Sequence, residues 1–498
     1  MAGIFCFSLG LRFWGLSRFN TLVFDEVYYA KFASAFLKGE IIFTGHPPLS
    51  TYIVAIGIWL GNQMPWGNAD PKNSLTGLLL SPFSYRWLNA FTGSLIPVLV
   101  GAIAYQLLHR RSFALIAALL LALDGLFLVE SRYALNNIYL VLLGLLGHLF
   151  FLLALQTTSW KCWLHLILSG IGFGGAAAIK WNGMGFLLGA YGVWAIGWLV
   201  HWVDLIQASF KPRPNSVSPI PRLARSPLSN LPQLHLGHIF IGLAMVPALT
   251  YYVSWLPYIQ VDPGESNFWQ LQLETLDYHK RVGGLDAHPY CSLWYSWPLM
   301  LRPVAYFYEV TQATQTGLPP VNPPLPSGGK EIIYDVHAMG NPILWWFSTA
   351  AVLIFAFLLL LRLWQSISQS VQFASSQASS QVPSQSTAVT GQPQSVSALY
   401  TWVMAYLLVN WAANFLPWVR VTRCLFIYHY MESLIFAILL LALLLDRWLG
   451  GNRSWQKTAA VTVIGLILIG FVFWLPLYLG LPLSPEALQL RRWLPSWV

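Results

Sequence analysis

Long stretches of this chain show no alternation of apolar and polar positions. Apolar runs of about 18 residues, the length a helix needs to cross the hydrocarbon core of a bilayer, recur along it. They lie at 1–17, 87–108, 112–129, 135–156, 162–179, 183–203, 238–257, 342–364, 398–415, 425–445 and 458–479. Lipid cannot satisfy backbone hydrogen bonds, so each run is expected to be helical. The pattern therefore predicts an all-α polytopic membrane protein with eleven transmembrane helices. The first run is short and contains Arg12. It lacks a basic n-region and a small-residue cleavage site, which argues against a removable signal peptide.

Between the runs the pattern changes. Residues 27–38 and 49–60 have helical periodicity with aromatic and aliphatic faces, too short to cross, and Trp59 and Trp66 suit the membrane surface. Two interfacial helices joined by the His46-Pro47-Pro48 turn are expected. The loop at 204–237 is rich in Pro, Ser and Arg and reads as cytoplasmic and flexible. The stretch 365–397 is a Ser/Gln-rich linker without apolar periodicity. It divides an N-terminal part, 1–364, from a three-span part, 398–498. The Gly- and Pro-rich loop at 258–341 holds too few apolar residues for a large separate domain and is expected to cap the membrane part.

Composition sharpens this picture. The chain is 56% hydrophobic, and only 9% of its residues are Asp, Glu, Lys or Arg. Its net charge of +9 is explained by topology rather than by nucleic acid. With the N-terminus inside, the inner loops hold Arg110, Arg111, Lys161, Lys211, Arg213, Arg222, Arg225, Arg362, Arg447, Arg453 and Lys457 against Asp204 and Asp446, as the positive-inside rule requires. The four cysteines, Cys6, Cys162, Cys291 and Cys424, are scattered without metal-ligand spacing. Structural thiols are expected and a disulfide framework is not.

Scarce charges fall on the outer side. Asp25 and Glu26 follow the first span, Arg86 begins the second, Glu130 and Arg132 occupy the next outer turn, Lys180 ends the fifth, and Arg420 and Arg423 precede Tyr428-His429-Tyr430. Charges at membrane depth usually mark pathways or sites. Carboxylates beside cations at this boundary suit transfer from an anionic lipid carrier. A carboxylate would take a proton from the attacking hydroxyl, while Arg and Lys would hold the departing phosphate. Plainer readings stand beside this one. Asp25-Glu26 is equally suited to start an interfacial helix, Glu130 and Arg132 to form an ion pair, and Lys180 and Arg423 to snorkel. His148 reads as a packed polar contact and Asp124 as a local partner. An Asp25/Glu26/His46 metal site has weak spacing and is not expected.

The segment Val23-Phe24-Asp25-Glu26-Val27-Tyr28-Tyr29-Ala30-Lys31-Phe32-Ala33 with His46-Pro47-Pro48-Leu49 resembles the first external loop of the protein O-mannosyltransferase family, lipid-phosphate-mannose-dependent enzymes of the integral-membrane glycosyltransferase C class. Tyr85-Arg86-Trp87-Leu88-Asn89-Ala90, Glu130-Ser131-Arg132-Tyr133-Ala134-Leu135, Ile179-Lys180-Trp181-Asn182-Gly183, His288-Pro289-Tyr290, Ser296-Trp297-Pro298-Leu299, Arg302-Pro303, Gly340-Asn341-Pro342, Leu416-Pro417-Trp418 and Tyr428-His429-Tyr430 continue the resemblance in order. It implies inverting transfer of mannose from a polyprenyl-phosphate donor to Ser or Thr hydroxyls of translocated proteins. Asp25 would be the base and Glu26 would orient acceptor or sugar. Arg86 and Arg132 would hold the phosphate or support the external loop, and His46, Lys180 and Arg423 would complete the donor site. No cofactor is implied, and a divalent metal is not expected. The chain departs from the family pattern at Thr51 (Lys in many members), Asn137 (Asp) and Glu432 (Pro). The short 258–341 loop leaves no room for the extra domain of eukaryotic-type members. This implies a bacterial-type enzyme in the inner membrane with an extracytoplasmic site. Two other readings remain: a lipid-carrier glycosyltransferase acting on an envelope lipid or polysaccharide, and a transporter or flippase.

Overall fold

The computed structural model describes residues 1–65, 70–210, 227–261, 267–311, 320–322, 331–379 and 394–497. Trp66 and residues 211–226 of the loop expected at 204–237 lie outside the described residues; the rest of that loop is more regular than expected, with a helix running on to Phe210 and a 3-10 helix at Pro227–Gln233.

The first half is built from α1 (Ala2–Phe13), α2 (Glu26–Leu37), α3 (Leu49–Gly61), α4 (Pro82–Leu108), α5 (Arg111–Ala122), α6 (Gly125–Glu130), α7 (Asn137–Ala154), α8 (Ser159–Ile179) and α9 (Met184–Phe210). α10 (Leu236–His238) and α11 (Val246–Val261) follow, joined through a π-helical stretch at Ile239–Met245 into one span. After them come α12 (Phe268–Arg281), strands β1 (Val304–Val310) and β2 (Ile333–Ala338), α13 (Pro342–Ser379), α14 (Gln394–Phe415), α15 (Met431–Leu449), α16 (Ser454–Leu479), β3 (Pro482–Leu483) and α17 (Pro485–Gln489).

Among the described residues nine helices, not eleven, are long and apolar enough to cross a membrane. The other two expected spans are real but short. α1 has 12 residues, and the run at 112–129 breaks into α5 and α6. Asp124 causes the break. Its carboxylate accepts the Phe127 N–H at 2.9 Å, capping α6, and its second oxygen accepts the Trp345 indole N–H at 2.7 Å. A helix cannot pass through a residue whose side chain caps the next one. The stretch Ile427–Leu449, containing α15, lies at the centre and is almost wholly enclosed by protein. Lipid-facing side chains therefore fall on the outer helices, where Leu353, Phe357, Leu360 and Ile469 are exposed. α13 continues past the boundary expected at 364, and 380–393 lie outside the described residues.

The interfacial helices form within a residue or two of their expected limits, as α2 and α3. The external loop is more structured than an irregular cap. It carries α12 and an antiparallel sheet of order β1-β2-β3, paired Val304 to Ala338 and Ile333 to Leu483. β2 is buried on both faces. It therefore lacks the polar–apolar alternation by which a half-exposed strand is read. A second correction concerns the cysteines. Cys291 and Cys424 form a disulfide across 133 positions, with Cα atoms 5.1 Å apart, while Cys6 and Cys162 are free. Spacing along the chain cannot report a pairing made by two loops meeting at one end of the bundle.

Candidate active site

Asp25 occupies the N-cap position of α2 and Glu26 its first turn, yet their environments are opposite. Glu26 is fully buried. Its Oε1 accepts from Arg86 Nε at 2.9 Å and the Ala134 N–H at 2.8 Å. Its Oε2 accepts from Arg86 Nη2 at 2.7 Å and the Val23 N–H at 2.8 Å. Arg86 gives its remaining donors to the carbonyls of Leu16, Phe19 and Thr21. Every donor of this guanidinium and both oxygens of this carboxylate are thus engaged. Of the two expectations for Arg86, the geometry matches support of the external loop rather than a grip on phosphate. Glu26 has no lone pair facing outward to orient a substrate.

Arg132 is likewise internal. Its guanidinium donates to the carbonyls of Leu11, Arg12, Trp14 and Gly15, the groups a helix end leaves without partners. It ties the C-terminus of α1 to the turn before α7. Asn137, where the family pattern suggests an acid, does not support Arg132. It donates to Glu130 at 3.1 Å and accepts from Lys180 Nζ at 3.5 Å.

Asp25 has no hydrogen-bond partner for its carboxylate among the described residues. Burial pushes its pKa up to about 6, opposed by the positive charge of Lys180. Lys180 stands between α8 and α9, buried, with its ammonium 5.2 Å from the Tyr428 ring. Burial and the neighbouring Arg423 lower its pKa, while Glu432, Asp25 and Glu130 act in the opposite direction. Lys180 is thus the cation shared by three carboxylates. Glu432 is buried, and its Oε1 accepts from Asn182 Nδ2 at 2.5 Å while Oε2 has no partner among the described residues.

Lys180 also faces a cavity of about 930 Å³. Its lining includes His46, Asn182, His279, Asn414, Arg420 and Arg423, with apolar walls from Leu187, Leu188 and Tyr191 of α9 and from Leu276 of α12. The two histidine rings lie 5.1 Å apart. Burial drives His46 well below its ordinary pKa and His279 down to about 4, so both are neutral. His46 Nδ1, His279 Nδ1, Asn182 Oδ1 and Asn414 Oδ1 are buried without partners among the described residues. Such polar atoms on an otherwise apolar wall mark a place where a hydroxylated ligand would complete the hydrogen bonding. The disulfide braces one wall. The Cys424 N–H donates to Gly283 O at 2.7 Å, and the Ser292 N–H donates to Leu425 O at 2.7 Å. Arg423 and the end of α12 are thereby held together.

The structure therefore gathers Asp25, Lys180, His46 and Arg423 at one end of the bundle and sets Glu26, Arg86 and Arg132 behind them as framework. Among the described residues no group of three or more His, Cys, Asp or Glu gathers as a metal site. Sequence reasoning missed His279 and Lys280. Their one signal is a His-Lys-Arg run in the last turn of α12, which reads first as favourable helix-end charge.

Residues 3–257 match the family model described as dolichyl-phosphate-mannose-protein mannosyltransferase, and residues 265–497 match that of the C-terminal four-TMM region of protein-O-mannosyltransferase. Similar curated proteins include a polyprenol-phosphate-mannose–protein mannosyltransferase of Mycolicibacterium smegmatis, 23% identical over 96% of this chain and 88% of that one. Its counterpart in Corynebacterium glutamicum is 24% identical over 99% and 92%. Among solved structures, the Saccharomyces cerevisiae protein O-mannosyltransferase Pmt1–Pmt2 complex bound to the sugar donor shares the fold. It has a TM-score of 0.73 at 15% identity and matches 100% of this chain and 92% of that one.

Proposed function

The chain belongs to the dolichyl-phosphate-mannose-protein mannosyltransferase family, and from that membership we propose that it transfers mannose from a polyprenyl-phosphate carrier to Ser or Thr hydroxyls of translocated proteins. The reaction would take place on the extracytoplasmic face of a bacterial inner membrane. The observation that carries the reading is an unpartnered Asp25 carboxylate within electrostatic reach of Lys180, which lines the large cavity together with Arg423.

In this mechanism the donor's phosphate lies against Lys180 and Arg423, its lipid tail against the apolar wall of α9, and its sugar hydroxyls against the partnerless His46, Asn182 and Asn414 atoms. The acceptor oxygen attacks the anomeric carbon from the face opposite the phosphate. The new C–O bond forms as the bond to the phosphate oxygen breaks, which inverts the configuration. Asp25 takes the hydroxyl proton, and the bonding electrons leave on the phosphate, where the two cations stabilise them. These fixed cations supply the charge a divalent metal would otherwise bring, so the reaction is proposed to be metal-independent. Chelation with EDTA should then leave turnover unchanged.

The test uses membranes containing the protein, polyprenyl-phosphate mannose and a Ser/Thr-rich peptide. Mannosyl peptide with the inverted anomer is expected, and Asp25→Asn should lower turnover about 100-fold or more. Mannose appearing on an envelope lipid or polysaccharide, but never on peptide, would replace the acceptor. Donor flux into liposomes without chemical turnover would replace the enzyme with a transporter.

A further inference from the structure

Asp25 hangs between two fixed points. On its C-terminal side Glu26 is locked into the Arg86 ion pair. On its N-terminal side Phe24 adopts φ +52°, a left-handed conformation that non-glycine residues rarely take and that persists only where surroundings impose it. The surroundings here are aromatic. The Phe24 ring lies flat on that of Tyr306, with centroids 4.1 Å apart and planes 8° apart. Phe426 and Tyr428 meet the Phe24 ring at steep angles from 6.3 Å. Tyr306 belongs to β1, in the external segment, and is buried. Its hydroxyl donates to Glu130, the acid that Asn137 links to Lys180.

We propose that Tyr306 is a positioning residue for Asp25. Its ring holds Phe24 in the left-handed turn, and that turn sets the direction in which α2 begins and the Asp25 carboxylate projects. The external sheet then does more than cover the site, because one of its side chains fixes the aim of the proton acceptor. This rests on the reading of Asp25 as the base. Small errors in such a placement act on the chemical step rather than on donor binding.

The test compares full-length variants in nanodiscs, using polyprenyl-phosphate mannose and a Ser/Thr-rich peptide. Tyr306→Leu removes the stacking ring and should lower kcat about tenfold or more, with the donor KM changed less than about twofold. Tyr306→Phe keeps the ring and should recover most of that loss. Phe24→Leu, at a half-buried position, should reproduce the kcat effect. The double variant should be no worse than the poorer single one, because both act through one contact. Wild-type kcat in Tyr306→Leu, an effect confined to KM, or multiplicative losses in the double variant would each overturn the proposal. If Tyr306→Leu fails to accumulate, Phe24→Leu decides alone, and wild-type kcat there overturns it equally. Asp25→Asn is measured alongside. Full activity in that variant refutes the base assignment, whereas an inactive Asp25→Asn beside a fully active Tyr306→Leu refutes only the positioning role.

Discussion

Replacing Glu26 with Gln changes one atom and should cost the protein much of its stability. The carboxylate accepts four hydrogen bonds, at 2.9 and 2.7 Å from Arg86 and at 2.8 Å from each of the Val23 and Ala134 amides. A Gln carbonyl can keep the pair at one oxygen. Its NH₂ would then confront two donors where Oε2 had accepted them. Arg86 would keep its charge with no exposed surface and no counter-ion. Breaking one side of a buried pair costs about 3–5 kcal/mol, or roughly two to four powers of ten in the unfolding equilibrium. The assay is thermal unfolding followed by tryptophan fluorescence, with hydrogen exchange of peptides spanning Val23 and Ala134. Glu26→Gln should melt well below wild type and exchange faster at both amides. If Glu26→Gln melted and exchanged like wild type while turnover collapsed, Glu26 would be acting on substrate and the strut argument would be wrong.

Turnover should rise as pH passes through about 6, because burial holds the Asp25 pKa near that value and only the deprotonated carboxylate can accept a proton. It should fall again on the alkaline side, where Lys180, held below its ordinary value by burial, loses its charge; kcat/KM measured against pH checks both limbs, and a flat profile would refute them. Lys180→Met should raise the donor KM about tenfold or more by removing a charge-assisted contact to phosphate, read from initial rates at varied donor. Reducing Cys291–Cys424, or replacing both cysteines with Ser, opens a loop of 133 positions and should cost up to about 5 kcal/mol by the chain-entropy estimate. Arg423 adjoins Cys424, so donor KM should rise together with the drop in melting temperature.

The membrane architecture was legible because lipid imposes a single rule. Apolar runs long enough to cross must be helices, so the nine long spans found among the described residues could be placed from hydropathy, and the two interfacial helices from their helical periodicity. Length also explains the overcount. Residues 113–129 carry no charge except Asp124, and whether one carboxylate interrupts a helix depends on a partner such as Trp345, far along the chain. The strand at Ile333–Ala338 escaped for a related reason, since a segment covered on both faces loses the periodicity that would reveal it. Scarcity of charge picked out the right residues for the site but could not sort them. Asp25 and Glu26 are neighbours with the same chemistry in sequence. Only the packing of α4 and the turn before α7 against them decides that Arg86 and the Ala134 amide saturate one carboxylate, leaving the other without a partner among the described residues, beside Lys180. Burial and hydrogen bonding are set by residues distant in the chain, and these determine which of two identical functional groups is framework and which is free to react.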